Sequence, residues 1–345
     1  MTLPPLTQGP CRIVNEVVES SALAGNRFGD PTARLTPVIL PPSYDRDPKR
    51  SYPVIYLLAA FAGTGWQMLA RSPFAEALDE RLARLYQSEP AMDECIVVLP
   101  DCCTALGGSQ YVNSPALGNY EDHVVNEVVP WIDRRYRTLD APAHRAVVGR
   151  SSGGLGAVWL AMNHPELFGA VVSHAGDGYF RATLMPELLR FCRRVRRYGG
   201  PEGVLSHWLS LGKGQRNPEL FDVMTILTSG AAYSPAPGTP LGFRLPVDWQ
   251  TVTFDESVIA SWLRFDPVEV CHEERYQRAL AGQRLVYLDG GTRDEYFLDL
   301  AARRLADRLR ELGIAVTHEE FDDGHRSTTY RFDRSLPLVA RAIAP

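Results

Sequence analysis

His144-Arg-Ala-Val-Val-Gly149-Arg150-Ser151-Ser152-Gly153-Gly154 is a short β-branched run that passes directly into the pattern Gly-x-Ser-x-Gly. An apolar series follows, with Leu155, Val158, Trp159 and Met162 at i, i+3, i+4 and i+7, the spacing of one helix face. Strand, serine turn and helix in that order make a nucleophile elbow. The chain reverses so sharply at the serine that the residues two before and two after it must keep side chains away from the backbone. Gly149 and Gly153 occupy those two positions. The reading predicts Ser151 as a constrained, exposed nucleophile beside the positive end of the helix that begins there. A chance pentapeptide in a glycine-rich turn would lack the flanking strand and helix.

A nucleophilic serine needs a base, and on a parallel sheet with this elbow the order along the chain is serine, acid, histidine. Of the eight histidines, His123, His144, His164 and His174 precede the elbow or follow it too closely. His318 lies inside an alternating run at 314–321, where a surface or satisfied histidine is the simpler account, and His207 and His272 lie in or beside a region of different character. His325, in Phe321-Asp-Asp-Gly324-His325, follows that late strand, and loops at strand C-termini are where such sheets place their chemistry. It is the predicted general base.

The acid should leave the preceding strand in the same manner. Residues 284–288 form a compact apolar run, followed by Asp289-Gly-Gly-Thr-Arg-Asp294-Glu295-Tyr296. A helix then carries Leu298, Ala302, Leu305, Leu309 and Leu312 on one face, with Gly313 as its stop. Asp289 at the strand end competes as a turn cap, Glu295 as a residue pointing along the opening of the helix, and Asp294 as a helix N-cap. Composition leaves all three open, and the loop position favours Asp294.

Taken together these words resemble one branch of the α/β-hydrolases, the esterase D-like group that includes S-formylglutathione hydrolases, feruloyl esterases, enterochelin-type esterases and mycolyltransferases. The matching stretches are Tyr52-Pro-Val-Ile-Tyr-Leu-Leu58, Tyr111-Val-Asn-Ser-Pro115, Gly118-Asn-Tyr-Glu-Asp122, Gly149-Arg-Ser-Ser-Gly-Gly154, His164-Pro165 with Leu167-Phe168-Gly169, Gly291-Thr-Arg-Asp294 and Gly324-His325. They run from about residue 30 to the C-terminus. The resemblance implies an α/β-hydrolase fold, a mostly parallel doubly wound sheet with helices on both faces. It implies Ser151 as nucleophile, His325 as base and, among the three carboxylates, Asp294 as acid. It also implies an oxyanion hole of two backbone N–H groups, those of Phe61 and Ser152. Here the sequence departs from the family pattern: Ala59-Ala60 stand where such enzymes carry a His-Gly or similar small pair. An alanine at position 60 strains the turn if its φ is positive.

The 345 residues, 45% hydrophobic and 22% charged, suffice for one large buried core, so residues 1–345 are read as a single domain. A net charge of −5 gives no general attraction to nucleic acid or anionic membrane. No apolar run reaches the roughly 20 residues that span a bilayer. Residues 1–10 lack a basic start and an apolar stretch, so the expected location is cytoplasmic. The six cysteines, at 11, 95, 102, 103, 192 and 271, show no metal-ligand spacing and read as reduced core or rim thiols, with Cys102 and Cys103 nearest the rim.

Early strands are predicted at 13–18, 35–40, 53–58 and 95–99, helices near 75–86 and at 124–132 with a bend or end near Pro130, and a further strand at 170–173. From about 181 to 266 the β/α alternation stops. This insertion reads as a cap: a helix carrying Arg190, Arg193, Arg194, Arg196 and Arg197 opposite an apolar stripe, then a proline-rich extended segment at 234–246. The arginines read as a solvated helix face, with steering of an acidic thioester as the functional option. Tyr111, Asn113, Asn119, His174 and Asp177 fall in loops near Ser151 and are candidate pocket residues, against ordinary loop hydrogen bonding.

The expected function is serine hydrolysis of a small-molecule carboxylic ester or thioester, with no cofactor and no metal; a homo-oligomer is left open. Acyl transfer by the same residues is one alternative, and a non-catalytic binding protein on the same fold is another. A metal-dependent hydrolase built on His318, Glu319, Glu320, Asp322, Asp323 and His325 is a third, disfavoured because the run offers no recognised ligand spacing.

Overall fold

The Val-Ile-Tyr-Leu-Leu run at 54–58 is buried along its whole length, as a central strand covered on both faces must be. Neighbouring strands share this burial, and their alternate residues feed two separate apolar cores. A computed structural model describes residues 11–212, 215 and 220–345. The N-terminal ten residues, on which the leader expectation rested, lie outside it, as does part of the expected cap.

Eight strands form the main sheet: β1 (Arg12–Glu19), β2 (Ala33–Leu40), β3 (Val54–Leu58), β4 (Ile96–Val98), β5 (Arg145–Arg150), β6 (Ala170–His174), β7 (Leu285–Gly291) and β8 (Thr317–Phe321). Their spatial order is β1-β2-β4-β3-β5-β6-β7-β8. Only the pairings made by β2 are antiparallel, and from β4 to β8 all neighbours run parallel. The expected mostly parallel, doubly wound α/β sheet is the observed one.

The helices used below are α1 (Leu78–Tyr86), α2 (Val129–Arg135), α3 (Ser152–Asn163), α4 (Met185–Val195), α5 (Pro201–Ser210), α6 (Phe221–Tyr233), α7 (Glu256–Leu263), α8 (Glu274–Ala281), α9 (Leu298–Glu311) and α10 (Phe332–Ile343). On one face of the sheet Ile55, Leu57, Val97, Val148 and Val172 pack with Leu78, Leu82 and Leu85 of α1 and Leu336, Val339 and Ile343 of α10. On the other, Tyr56, Leu58, Val147 and Val171 pack with Leu155 and Val158 of α3 and Leu305 and Leu309 of α9.

The helix before the elbow departs from expectation. It does not end near Pro130: a π-helical stretch at His123–Val128 runs directly into α2, which continues to Arg135, and this wider turn just before Pro130 is the irregularity at the proline. Between β6 and β7 the chain makes a long excursion containing α4 to α7. Buried Asp266 closes it: its carboxylate accepts the N–H groups of Tyr179 (2.9 Å), Phe180 (2.7 Å) and Val268 (3.0 Å), so entry and exit are tied at one point. The α8 crossover helix then leads back to the sheet.

Candidate active site

Ser151 sits between β5 and α3 with φ 56° and ψ −127°, a conformation that L-residues seldom adopt and that costs on the order of 1–3 kcal/mol. Backbone bonds hold it there: its N–H donates to His174 O (2.9 Å), and its carbonyl accepts from Leu155 N–H (3.0 Å) and Asp177 N–H (3.3 Å). The two glycines are required by contact distance. A Cβ at Gly149 would lie 2.0 Å from Gly153 O, and one at Gly153 would lie 2.5 Å from Leu58 O. The elbow therefore presses directly on the end of β3.

His325 and Asp294 arrive from the loops after β8 and β7. Assigning tautomers from the bonding pattern, Ser151 Oγ–H donates to His325 Nε2 (3.1 Å), and Nδ1–H donates to Asp294 Oδ2 (2.8 Å). Asp294 is buried, and its second oxygen accepts Tyr296 N–H (2.8 Å). The two loops are zipped together by Thr292 N–H to Phe321 O (2.8 Å) and Arg293 N–H to Asp323 O (2.9 Å).

Glu295 differs from its expected orientation along the helix. Its carboxylate turns back and accepts the backbone N–H of His325 (2.8 Å), a bond that holds the carboxyl below its ordinary pKa. Asp289 is not a turn cap. It lies within β7, fully buried, and accepts from His174 Nδ1–H (2.8 Å), Arg331 Nε–H (2.9 Å) and Tyr287 O–H (3.2 Å).

Ser152 follows Ser151 directly, and Phe61 lines the same cavity as Ser151. Ser152 opens α3, so its N–H has no partner within the helix. In the loop after β3, Ala62 N–H donates to Gly107 O (2.6 Å) and Gly63 N–H to Ala60 O (2.9 Å), whereas the Phe61 N–H meets no acceptor among the described residues. Ala60 does not take a positive φ, the condition under which it would strain the turn; in this loop the positive φ falls on Ala62, at 58°. The Phe61 ring is seated on Gly107, where a Cβ would meet it at 2.6 Å, and packs edge-on against Phe221 with centroids 4.9 Å apart.

Ser151 and His325 open into a cavity of about 370 Å³ walled by the Phe61 loop, Asp177, Leu184, Phe221, Ile226 and Tyr296. Of the five expected pocket residues only Asp177 lines it. Tyr111 is buried behind the wall, with its O–H donating to Ala59 O (2.6 Å) and its ring against Gly156. Asn113 and Asn119 are exposed on a separate two-stranded hairpin, where Asn113 Oδ1 accepts Asp122 N–H (3.0 Å). His174 ends β6 and turns into the opposite core, where Ser335 O–H donates to its Nε2 (2.8 Å). With Asp289 this makes a second serine–histidine–aspartate chain, sealed from solvent.

Arg150 escaped the sequence reading because the second position of Gly-x-Ser-x-Gly is chemically unmarked. Its guanidinium donates to His325 O and to Thr328 Oγ1 (3.0 Å), gripping the histidine loop from the elbow itself. The acidic run near the C-terminus is dispersed into ion pairs: Glu319 with Arg331 and Arg334, Glu320 with Arg303, Asp322 with Arg293. Among the described residues no group of three or more His, Cys, Asp or Glu is placed to hold a metal ion. Cys102 and Cys103 do not reach the cavity, and no disulfide joins any of the six cysteines.

Fold and site define an α/β-hydrolase with its polar residues at the C-terminal edge of the sheet. The family model described as "Putative esterase" matches residues 32–337, and the chain belongs to that family. Esterase Rv1288 of Mycobacterium tuberculosis is 34% identical over 146 residues, which span 42% of this chain and 29% of that protein. The uncharacterized protein YbbA of Bacillus subtilis is 26% identical over 163 residues, 46% of this chain and 59% of its own length. The match thus covers only part of these curated relatives. Among solved structures, a ferulic acid esterase superposes with TM-score 0.63 at 20% identity, covering 97% of this chain and all of the other. An S-formylglutathione hydrolase from Agrobacterium tumefaciens gives TM-score 0.56 at 14% identity, covering 97% and 95%. At these identities the superpositions establish the fold alone.

Proposed function

We propose that the protein is a serine carboxylic-ester hydrolase that works through an acyl-enzyme on Ser151. The observation that carries this reading is the hydrogen-bonded chain Ser151 Oγ, His325 imidazole, Asp294 carboxylate, set on a strained elbow at the floor of a cavity. Family membership supports the ester as the bond attacked.

Ser151 Oγ attacks the carbonyl carbon while His325 Nε2 takes its proton, and the ionised Asp294 holds the ring and stabilises the imidazolium. The oxyanion of the tetrahedral adduct accepts the N–H groups of Phe61 and Ser152, each worth about 100-fold to 1000-fold in turnover. His325 returns the proton to the departing alcohol or thiol. Water, deprotonated by the same imidazole, then releases the acid and restores Ser151. A cytoplasmic location is part of the proposal, supported by the absence of disulfides among the six cysteines. No helix of the described residues is long and apolar enough to cross a membrane.

The test is steady-state hydrolysis of short-chain p-nitrophenyl esters. The wild type should turn them over, and Ser151→Ala, with an unchanged circular dichroism spectrum and Tm, should lose activity by a factor on the order of 10⁵ or more. Equal rates from the two proteins would reject Ser151 as nucleophile.

A further inference from the structure

Three carboxylates line the cavity: Asp177, Glu187 and Asp222. Two are matched by cations. Arg190 donates to Glu187, and Arg194 Nη1 lies 2.6 Å from Asp222. The Arg150 guanidinium is committed to His325 O and Thr328 Oγ1, and Arg326 stands exposed at the mouth beside Tyr296. Asp177 is different. Its backbone N–H is used on Ser151 O, but no hydrogen-bond donor or cation of the described residues reaches its carboxylate, which faces the cavity shared with Ser151 and His325. Asp177 is half-buried, on the cavity wall and not in bulk solvent, and a carboxylate so placed is normally paired, because its partial loss of hydration must be offset. The partner that the protein does not supply has room beside the reacting serine.

We infer that Asp177 selects esters whose acyl part carries a hydrogen-bond donor near the scissile bond, an ammonium most strongly and a hydroxyl next, and that it disfavours acyl groups bearing a carboxylate there. The inference rests on the reading of Ser151 as nucleophile and goes beyond it by naming a substrate class. It runs against a steering of anionic thioesters by Arg190 and Arg194, which are held by Glu187 and Asp222.

Burial pushes the Asp177 carboxyl up to about 6, with Asp294 adding to the rise and His325 opposing it. The buried Tyr233 hydroxyl, which has no hydrogen-bond partner, also lies within electrostatic range of Asp177. Above that pH the ionised carboxylate accepts from a cationic acyl group, and below it the neutral acid loses the charge attraction. Taking a ratio of two substrates on one enzyme cancels the titration of His325, which both share.

The experiment compares kcat/KM for p-nitrophenyl butyrate, its β-hydroxy and β-ammonium analogues, and the succinate monoester, on wild type, Asp177→Asn and Asp177→Ala. At pH 8 the wild type should favour the ammonium ester over the plain one by about tenfold or more, the worth of one charge-assisted hydrogen bond, and the hydroxy ester by a smaller factor. The succinate should fall below the plain ester. In both variants these ratios should collapse to within about twofold of unity, and the wild-type ratio for the ammonium ester should shrink at pH 5. Ratios near unity in the wild type, or an equal loss on every ester with ratios unchanged in the variants, would overturn the inference; the latter result would assign Asp177 to the imidazole. If no ester is hydrolysed by the wild type and Ser151 is unreactive, it is the hydrolase reading that has failed.

Discussion

Asp294 and Glu295 are neighbours in sequence yet reach different atoms of His325, one the ring and the other the backbone. That division sets their expected weights. Asp294→Asn removes the charge that holds the Nδ1–H tautomer and should lower kcat by about 10³-fold to 10⁴-fold. Glu295→Gln keeps an oxygen that can accept the His325 N–H and should cost about tenfold or less, so steady-state kinetics on the two variants separates the roles; similar losses would reverse the acid assignment. Composition could not choose between these residues, because both are carboxylates in one loop and only the β7–β8 loop geometry distinguishes them. His174 failed as a pocket residue for a related reason. It stands one residue past the predicted strand, and extending that strand by one residue turns the side chain to the opposite face.

At the level of elements, the elbow was legible because its constraint is local: Gly149 and Gly153 are demanded by contacts of 2.0 Å and 2.5 Å that any Cβ would make. In the excursion between β6 and β7, Asp266 ties residues 179–180 to residue 268. Asp266→Ala leaves three N–H groups, two of them buried, without an acceptor. At about 1–3 kcal/mol for each unsatisfied donor, partly recovered by water and by release of a buried carboxylate, the net loss should be about 2 kcal/mol or more in denaturant unfolding, with loosening seen first by hydrogen exchange at 177–180. An unchanged unfolding midpoint would show that the excursion is held by its apolar contacts alone. The passage through Pro130 was not legible, because a π-helical stretch leaves no mark in the apolar periodicity.

Over the whole molecule, two cores clamp the sheet from both faces, and this is what lets a residue as strained as Ser151 persist. The compact apolar runs of β3, β5, β6 and β7 carried the fold in the sequence, whereas much of the pocket wall comes from residues 183–187 and α6, whose side chains meet the site only through tertiary packing. The same clamp fixes Ser151 Oγ against His325, and the central claim is that this arrangement makes one serine abnormally nucleophilic. Intact-protein mass spectrometry after exposure to a small fluorophosphonate, followed by peptide mapping, tests it most directly. The account predicts a single adduct, located on Ser151 and absent from Ser151→Ala; a folded wild-type protein that stays unlabelled, or carries its adduct on another residue, would contradict it.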